Sequence, residues 1–84
     1  MIEDFPILKS NEVALLRATV EKGRVLDEDF KLAISKEQKV FTIFDNVANA
    51  IAYAKSLIKE KKKIECNIFG DEMKFLKRIS IYEE

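Results

Sequence analysis

The residues able to do chemistry in this chain are few, and their spacing suits none of the common sites. There is no histidine among the 84 residues. That removes the commonest general base, the commonest metal ligand and every Ser–His or Cys–His pair. The one cysteine, Cys66, cannot build a zinc site without histidines. It lies in the alternating run Ile64-Glu65-Cys66-Asn67-Ile68, where it reads as a small buried apolar residue rather than a reactive thiol. The acidic groups Asp27-Glu28-Asp29 and Asp71-Glu72 lack the ligand spacing of a dedicated cation site and read as solvated turns. Gly23 and Gly70 are the only glycines, so there is no glycine-rich loop to cradle a phosphate. The expectation is a non-enzymatic protein with no catalytic residue, no cofactor and no metal.

The basic residues are the one set with an alternative meaning. Lys59-Glu60-Lys61-Lys62-Lys63 is followed by Lys74, Lys77 and Arg78, with Phe69, Phe75 and Tyr82 close in sequence. Cations beside aromatic rings can hold a single-stranded nucleic acid, the rings stacking on bases. The candidates are Lys61, Lys62, Lys63, Lys74 and Arg78. Glu60, Glu65, Asp71 and Glu72 interrupt the set, and cations at a helix end also have a simpler role in meeting the negative end of its dipole. Over the whole chain, 15 basic and 15 acidic residues cancel. There is no global field to draw nucleic acid or anionic lipid.

The elements that would position these residues centre on 41–69. Val40-Phe41-Thr42-Ile43-Phe44 reads as a strand and Ile64 to Phe69 as another. Between them Val47, Ala50, Ile51, Ala54, Leu57 and Ile58 recur at helical spacing. The reading is a main helix over 46–62 with Asp45 as its N-cap. Upstream, Ser10 or Asn11 can cap a helix over 11–22 carrying Val13, Leu16 and Val20 on one side, with Gly23 as a left-handed C-cap. The competing reading is a hairpin turning at Glu21-Lys22-Gly23-Arg24. The helix is favoured because leucine and alanine outnumber β-branched residues there. Phe30 to Ile34 alternates and reads as a strand, although a helix over 28–38 is conceivable. The last strand spans 74–81, after a turn at Gly70-Asp71-Glu72.

The expected fold is therefore α+β, a two-layer sandwich. It has a mainly antiparallel sheet of about four strands (30–34, 40–44, 64–69 and 74–81), with the main helix on one face. Residues 1–84 make a single domain, with 1–9 as an arm or short edge strand that Pro6 keeps out of the sheet centre. The N-terminus carries acids where a signal peptide has bases, and no run approaches the roughly 20 apolar residues that cross a bilayer. A lone cysteine fits a reducing compartment. The expectation is a cytoplasmic protein with no membrane partner.

Alternation divides the strands between two faces. Phe30, Leu32, Ile34, Phe41, Ile43 and Phe75 are expected under the main helix, with Ile64, Cys66, Ile68 and Ile79. Val40, Phe44, Phe69 and Leu76 then fall on the far face, too apolar for one left in water. A one-residue slip over 40–44 would exchange Val40 and Phe44 for Phe41 and Ile43. The first helix, a second copy of the chain or another protein could cover that face. The functional expectation is a protein-interaction module working through an apolar sheet face or a strand edge, with a homodimer as one form. Its contact candidates are Val40, Phe44, Phe69 and Leu76. Single-stranded nucleic-acid binding is the alternative.

Overall fold

The computed structural model describes residues 4–82. The expected arm over 1–9 is thus seen from residue 4; the remainder lies outside the described residues. The fold is α+β, one antiparallel sheet of five strands and one helix. In chain order the elements are β1 (Val13–Thr19), β2 (Val25–Leu26), β3 (Phe41–Phe44), α1 (Val47–Glu60), β4 (Ile64–Phe69) and β5 (Phe75–Ile79).

β1 is the centre of the sheet and the main departure from the sequence reading, which expected a helix over 11–22. One edge of β1 pairs with β4, from Ala14↔Phe69 to Thr19↔Ile64. Its other edge is shared: Val13 to Leu16 pair with β3, and Arg17 and Ala18 pair with β2. Val13 to Leu15, Arg17 and Ala18 are all buried. A run apolar on both faces suits a strand covered on both faces, and that context overrides the weak helical preference of leucine and alanine. The hairpin that follows closes through Thr19 N–H to the Arg24 carbonyl (2.9 Å) and Gly23 N–H to the Thr19 carbonyl (2.8 Å). Gly23 has φ +64°, a left-handed conformation that glycine adopts without strain.

The expected strand 30–34 is also absent; only Leu32 makes an isolated bridge, to Leu26. Side chains meet the backbone of this loop instead. Asp27 Oδ1 accepts from the N–H groups of Asp29 (2.9 Å) and Lys31 (3.0 Å). Gln38 Oε1 accepts from Ile34 N–H (2.7 Å) and Ser35 N–H (3.0 Å), and Gln38 Nε2 donates to Asp27 Oδ2 (2.7 Å) and the Leu32 carbonyl (2.9 Å). Once those groups are satisfied locally the segment has no need of a ladder.

The strand–helix–strand unit over 41–69 is present. β3 and β4 both run antiparallel to β1, so they are parallel to each other with β1 between them, and α1 makes the crossover. Asn46, not Asp45, caps α1: its Oδ1 accepts from Asn49 N–H at 2.8 Å. Ala50, Ala54, Leu57 and Ile58 are buried against Leu15, Cys66 and Ile68 of the sheet. Each fully buried Leu or Ile side chain contributes about 1.5–3 kcal/mol.

Phe41 and Phe44 lie on the reverse faces from the first assignment, while Val40 stays on the far side. Phe44 lies on the α1 side, its ring 5.3 Å from that of Tyr53. Phe41 lies on the far side, in a second cluster with Leu8, Ala14 and Val40. No N-terminal helix covers this second face. The arm does, with Phe5 standing edge-on to Phe41 (5.2 Å) and Phe69 (6.2 Å). Of the residues expected under the helix, Leu32 and Ile34 are exposed, and Phe75 pairs with Phe69 instead.

Arg17 bridges the join on the edge of β1 where β3 gives way to β2. It is 1% exposed. Nη1 donates to Thr42 Oγ1 (2.9 Å) and Nη2 to the Val40 carbonyl (3.1 Å). The Thr42 hydroxyl in turn donates to Glu28 Oε2 at 2.8 Å. Nε is buried with no hydrogen-bond partner among the described residues.

Candidate interaction surface

The far-face candidates do not form one surface. Val40 has no exposed area, and Phe44 packs toward α1, so neither is open to a partner. Phe69 is half-buried between Phe5 and Phe75, whose ring is 5.8 Å away. Leu76 is 42% exposed. The arm covers part of the far face, and exposed apolar side chains remain at Ile7, Leu32, Ile34 and Ile43 as well as at Met73, Phe75 and Leu76 around β5.

β5 is the last strand of the sheet, and among the described residues no strand pairs with its outer edge. Phe75, Leu76, Lys77 and Arg78 are all exposed. The strand starts after a tight turn. Gly70 N–H donates to the Lys74 carbonyl (2.7 Å), and Glu72 and Met73 both adopt positive φ, +57° and +62°. The β4–β5 register shifts between Ile68 and Phe69. Phe75 pairs with Phe69 and is 56% exposed, and Met73 stands exposed beside it in sequence. Phe75 was expected under α1; the irregularity puts it at the rim of the opposite face.

On the α1 side, β5 and the helix bound an open groove of about 570 Å³. Its floor is Ile58, Ile79 and Ile81 and its walls carry Lys55, Lys59, Lys62, Lys77 and Arg78. An adjoining groove of about 650 Å³ shares Lys62 and Ile81 and adds Lys63 and Tyr82. Lys55 and Lys59 belong together because residues four apart share a helix face, and Lys62 follows just past the helix end at Glu60. Lys59 and Lys62 belong to the basic run over 59–63, and Lys55 lies one helical turn before it.

The fold brings three of the five nucleic-acid candidates to the two adjoining grooves. Lys62 and Arg78 line the main groove and Lys63 the adjoining one. Lys61 sits over the Phe30 ring at 4.7 Å, and Lys74 lines neither groove. The exposed ring of Phe75 shares a face with Phe69, and Lys77 pairs with Ile68 of the helix-side core. Phe69 and Phe75 are thus on the opposite side of the sheet from Lys77, while Tyr82 lines the adjoining groove beside Lys62 and Lys63; a stacking platform needs rings and cations on one side.

The remaining reactive groups are engaged in structure. Cys66 is fully buried, and burial pushes its thiol up to about 11. Asp27 is held below its ordinary value by the Gln38 amide, with the Lys31 N–H adding to it. Among the described residues no group of three or more Cys, Asp or Glu side chains gathers to hold a metal. None of the described helices is long and apolar enough to cross a membrane. No family model matches this chain, and no curated protein or solved structure matches it either.

Proposed function

We propose that the protein is a non-enzymatic interaction module whose contact surface is the outer edge of β5 with the apolar rim around it. The observation that carries this is the exposure of the whole segment 75–78 on the last strand of the sheet. Such a strand presents a row of backbone N–H and C=O groups to any extended chain that meets it. Phe75, Leu76 and Met73 add apolar area beside that row. The non-catalytic half of the reading is supported by the chain's lack of histidine and by a cysteine buried in the core.

Capture from native extract, wild type beside a Phe75→Ser/Leu76→Ser variant, tests the proposal. Phe69→Lys is a poorer probe, because Phe69 also holds the arm through Phe5. Circular dichroism establishes that the variant is folded. The proposal expects a protein retained by the wild type and lost by the variant. Equal retention by both would remove β5 as the contact. Sedimentation of the two across concentration separates a second copy from a different partner.

A further inference from the structure

We propose that the partner of β5 is an acidic extended segment. It adds to the outer edge of the strand and sends alternate carboxylates toward Lys55, Lys59, Lys62 and Lys77. This rests on the reading of β5 as the contact edge and adds the chemistry of what pairs there.

Charge decides the class of occupant. Five of the nine residues lining the α1–β5 groove are cations, and no described residue lining it is acidic. Lys55, Lys59, Lys62 and Lys77 are all exposed, so this positive wall stands open beside the strand edge. A second copy of the chain is a poor fit. Antiparallel pairing of two β5 strands would bring Lys77 and Arg78 of one copy against the same cations of the other, and like charges placed opposite destabilise a ladder. Lysine on an edge strand discourages that kind of self-pairing. A strand carrying acids meets the opposite situation.

Spacing points the same way. Along α1, Lys55 and Lys59 are separated by a rise of about 6 Å, and Lys62 follows just beyond the helix end at Glu60. Alternate residues of a strand are about 6.8 Å apart. A segment with Glu or Asp at every second position, paired to β5, therefore presents successive carboxylates on the helix side at nearly the pitch of Lys55 and Lys59. Its intervening side chains point to the other face, beside Phe75. The ion pairs would be at a solvated rim, where they steer and select more than they hold. Backbone pairing would supply the rest.

The test uses nine-residue peptides and amide chemical-shift mapping on the intact protein. A peptide alternating glutamate and threonine should shift resonances over 75–81 and 55–62. Its affinity should fall several-fold on going from low to physiological salt. The same peptide with glutamine for glutamate should bind roughly tenfold more weakly or worse, as should the glutamate peptide N-methylated at alternate backbone amides. Lys59→Gln/Lys77→Gln, two changes at exposed positions, should cost the glutamate peptide a similar factor. Equal binding of the glutamate and glutamine peptides would overturn the acidic assignment while leaving β5 as an edge that pairs. Unaltered binding of the N-methylated peptide would overturn strand addition. An oligothymidylate that occupies the groove more tightly than the glutamate peptide would replace the protein partner with nucleic acid. If the glutamate peptide fails while extract capture still depends on Phe75 and Leu76, the acidic partner is wrong and the contact edge stands. Failure of both removes the two readings together.

Discussion

Arg17 offers a quantitative check on the way the sheet is assembled. Its guanidinium is 1% exposed and reaches Thr42 Oγ1 and the Val40 carbonyl, with Glu28 one step beyond the Thr42 hydroxyl. A buried charge without a direct carboxylate depends on each hydrogen bond it makes. Thr42→Val keeps the shape at β3 and removes the acceptor from Nη1. Hydrogen bonds to charged groups contribute about 1.5–3 kcal/mol, and the donor left behind loses its solvation as well. In a domain of this size about 1 kcal/mol moves the melting midpoint by 4–8 °C, so a fall of roughly 6–24 °C is expected. Arg17→Met removes the charge that makes the demand. Valine at 42 then harms much less, and the double variant should cost about 1–2 kcal/mol less than the sum of the singles. Urea denaturation of the four proteins at neutral pH measures this directly. Costs that add to within about 0.5 kcal/mol would mean that Arg17 and Thr42 are uncoupled. The account of Arg17 as a bridge to β3 through Thr42 would then be wrong.

Two titrating groups give further expectations. The Cys66 thiol is raised by burial to about 11, against about 8.5 for a free thiol. The native state therefore keeps a proton that the unfolded chain loses. The stabilisation is complete below about pH 8.5 and declines by about 1.4 kcal/mol per pH unit as pH rises toward the native value. The difference in stability between wild type and Cys66→Val should follow that slope; a difference that stays flat from neutral to strongly alkaline pH contradicts the burial argument. Asp27 is shifted the other way, with the Gln38 amide as the first cause. Its stabilisation is present above the unfolded carboxylate value of about 3.9 and is lost as pH falls through the lower native value. Gln38→Ala should bring the Asp27 carboxyl back toward the ordinary range by NMR titration and make the 28–38 loop more sensitive to protease. An unmoved Asp27 titration would show that Gln38 does not hold it.

The unit over 41–69 was legible because each of its signals has one meaning. Ala50, Ala54, Leu57 and Ile58 fit a helix period and no strand period, and Ile64, Cys66 and Ile68 fit the reverse. The first third of the chain gave signals with two meanings. Gly23 takes the left-handed conformation both in a helix C-cap and in a hairpin turn, so finding it did not choose between them. Leucine and alanine argue for helix only where the environment is neutral; in β1 they fill the centre of a sheet. Alternation over Phe30 to Ile34 resembles a strand until Asp27 and Gln38 are seen to bind its backbone, and those bonds form between residues up to 11 apart. The far face was expected to carry Val40, Phe44, Phe69 and Leu76, of which Phe44 lies on the α1 side instead. The cover of the far face was missed, because an arm that contributes Phe5 and Leu8 has no periodicity to find. Of the basic groove, Lys59, Lys62 and Arg78 stood out in the sequence as members of basic runs, without any sign that they and Lys55 line one groove. Its other wall, Lys77, depends on β5 pairing beside α1.

The contact edge of β5 is tested most directly by hydrogen–deuterium exchange of the protein alone and held by the partner it captures. The account predicts new protection at backbone amides of 75–79 in the complex, with the arm from Phe5 to Leu8 exchanging as before. Protection confined to that arm and the face beneath it, with 75–79 unchanged, would contradict it.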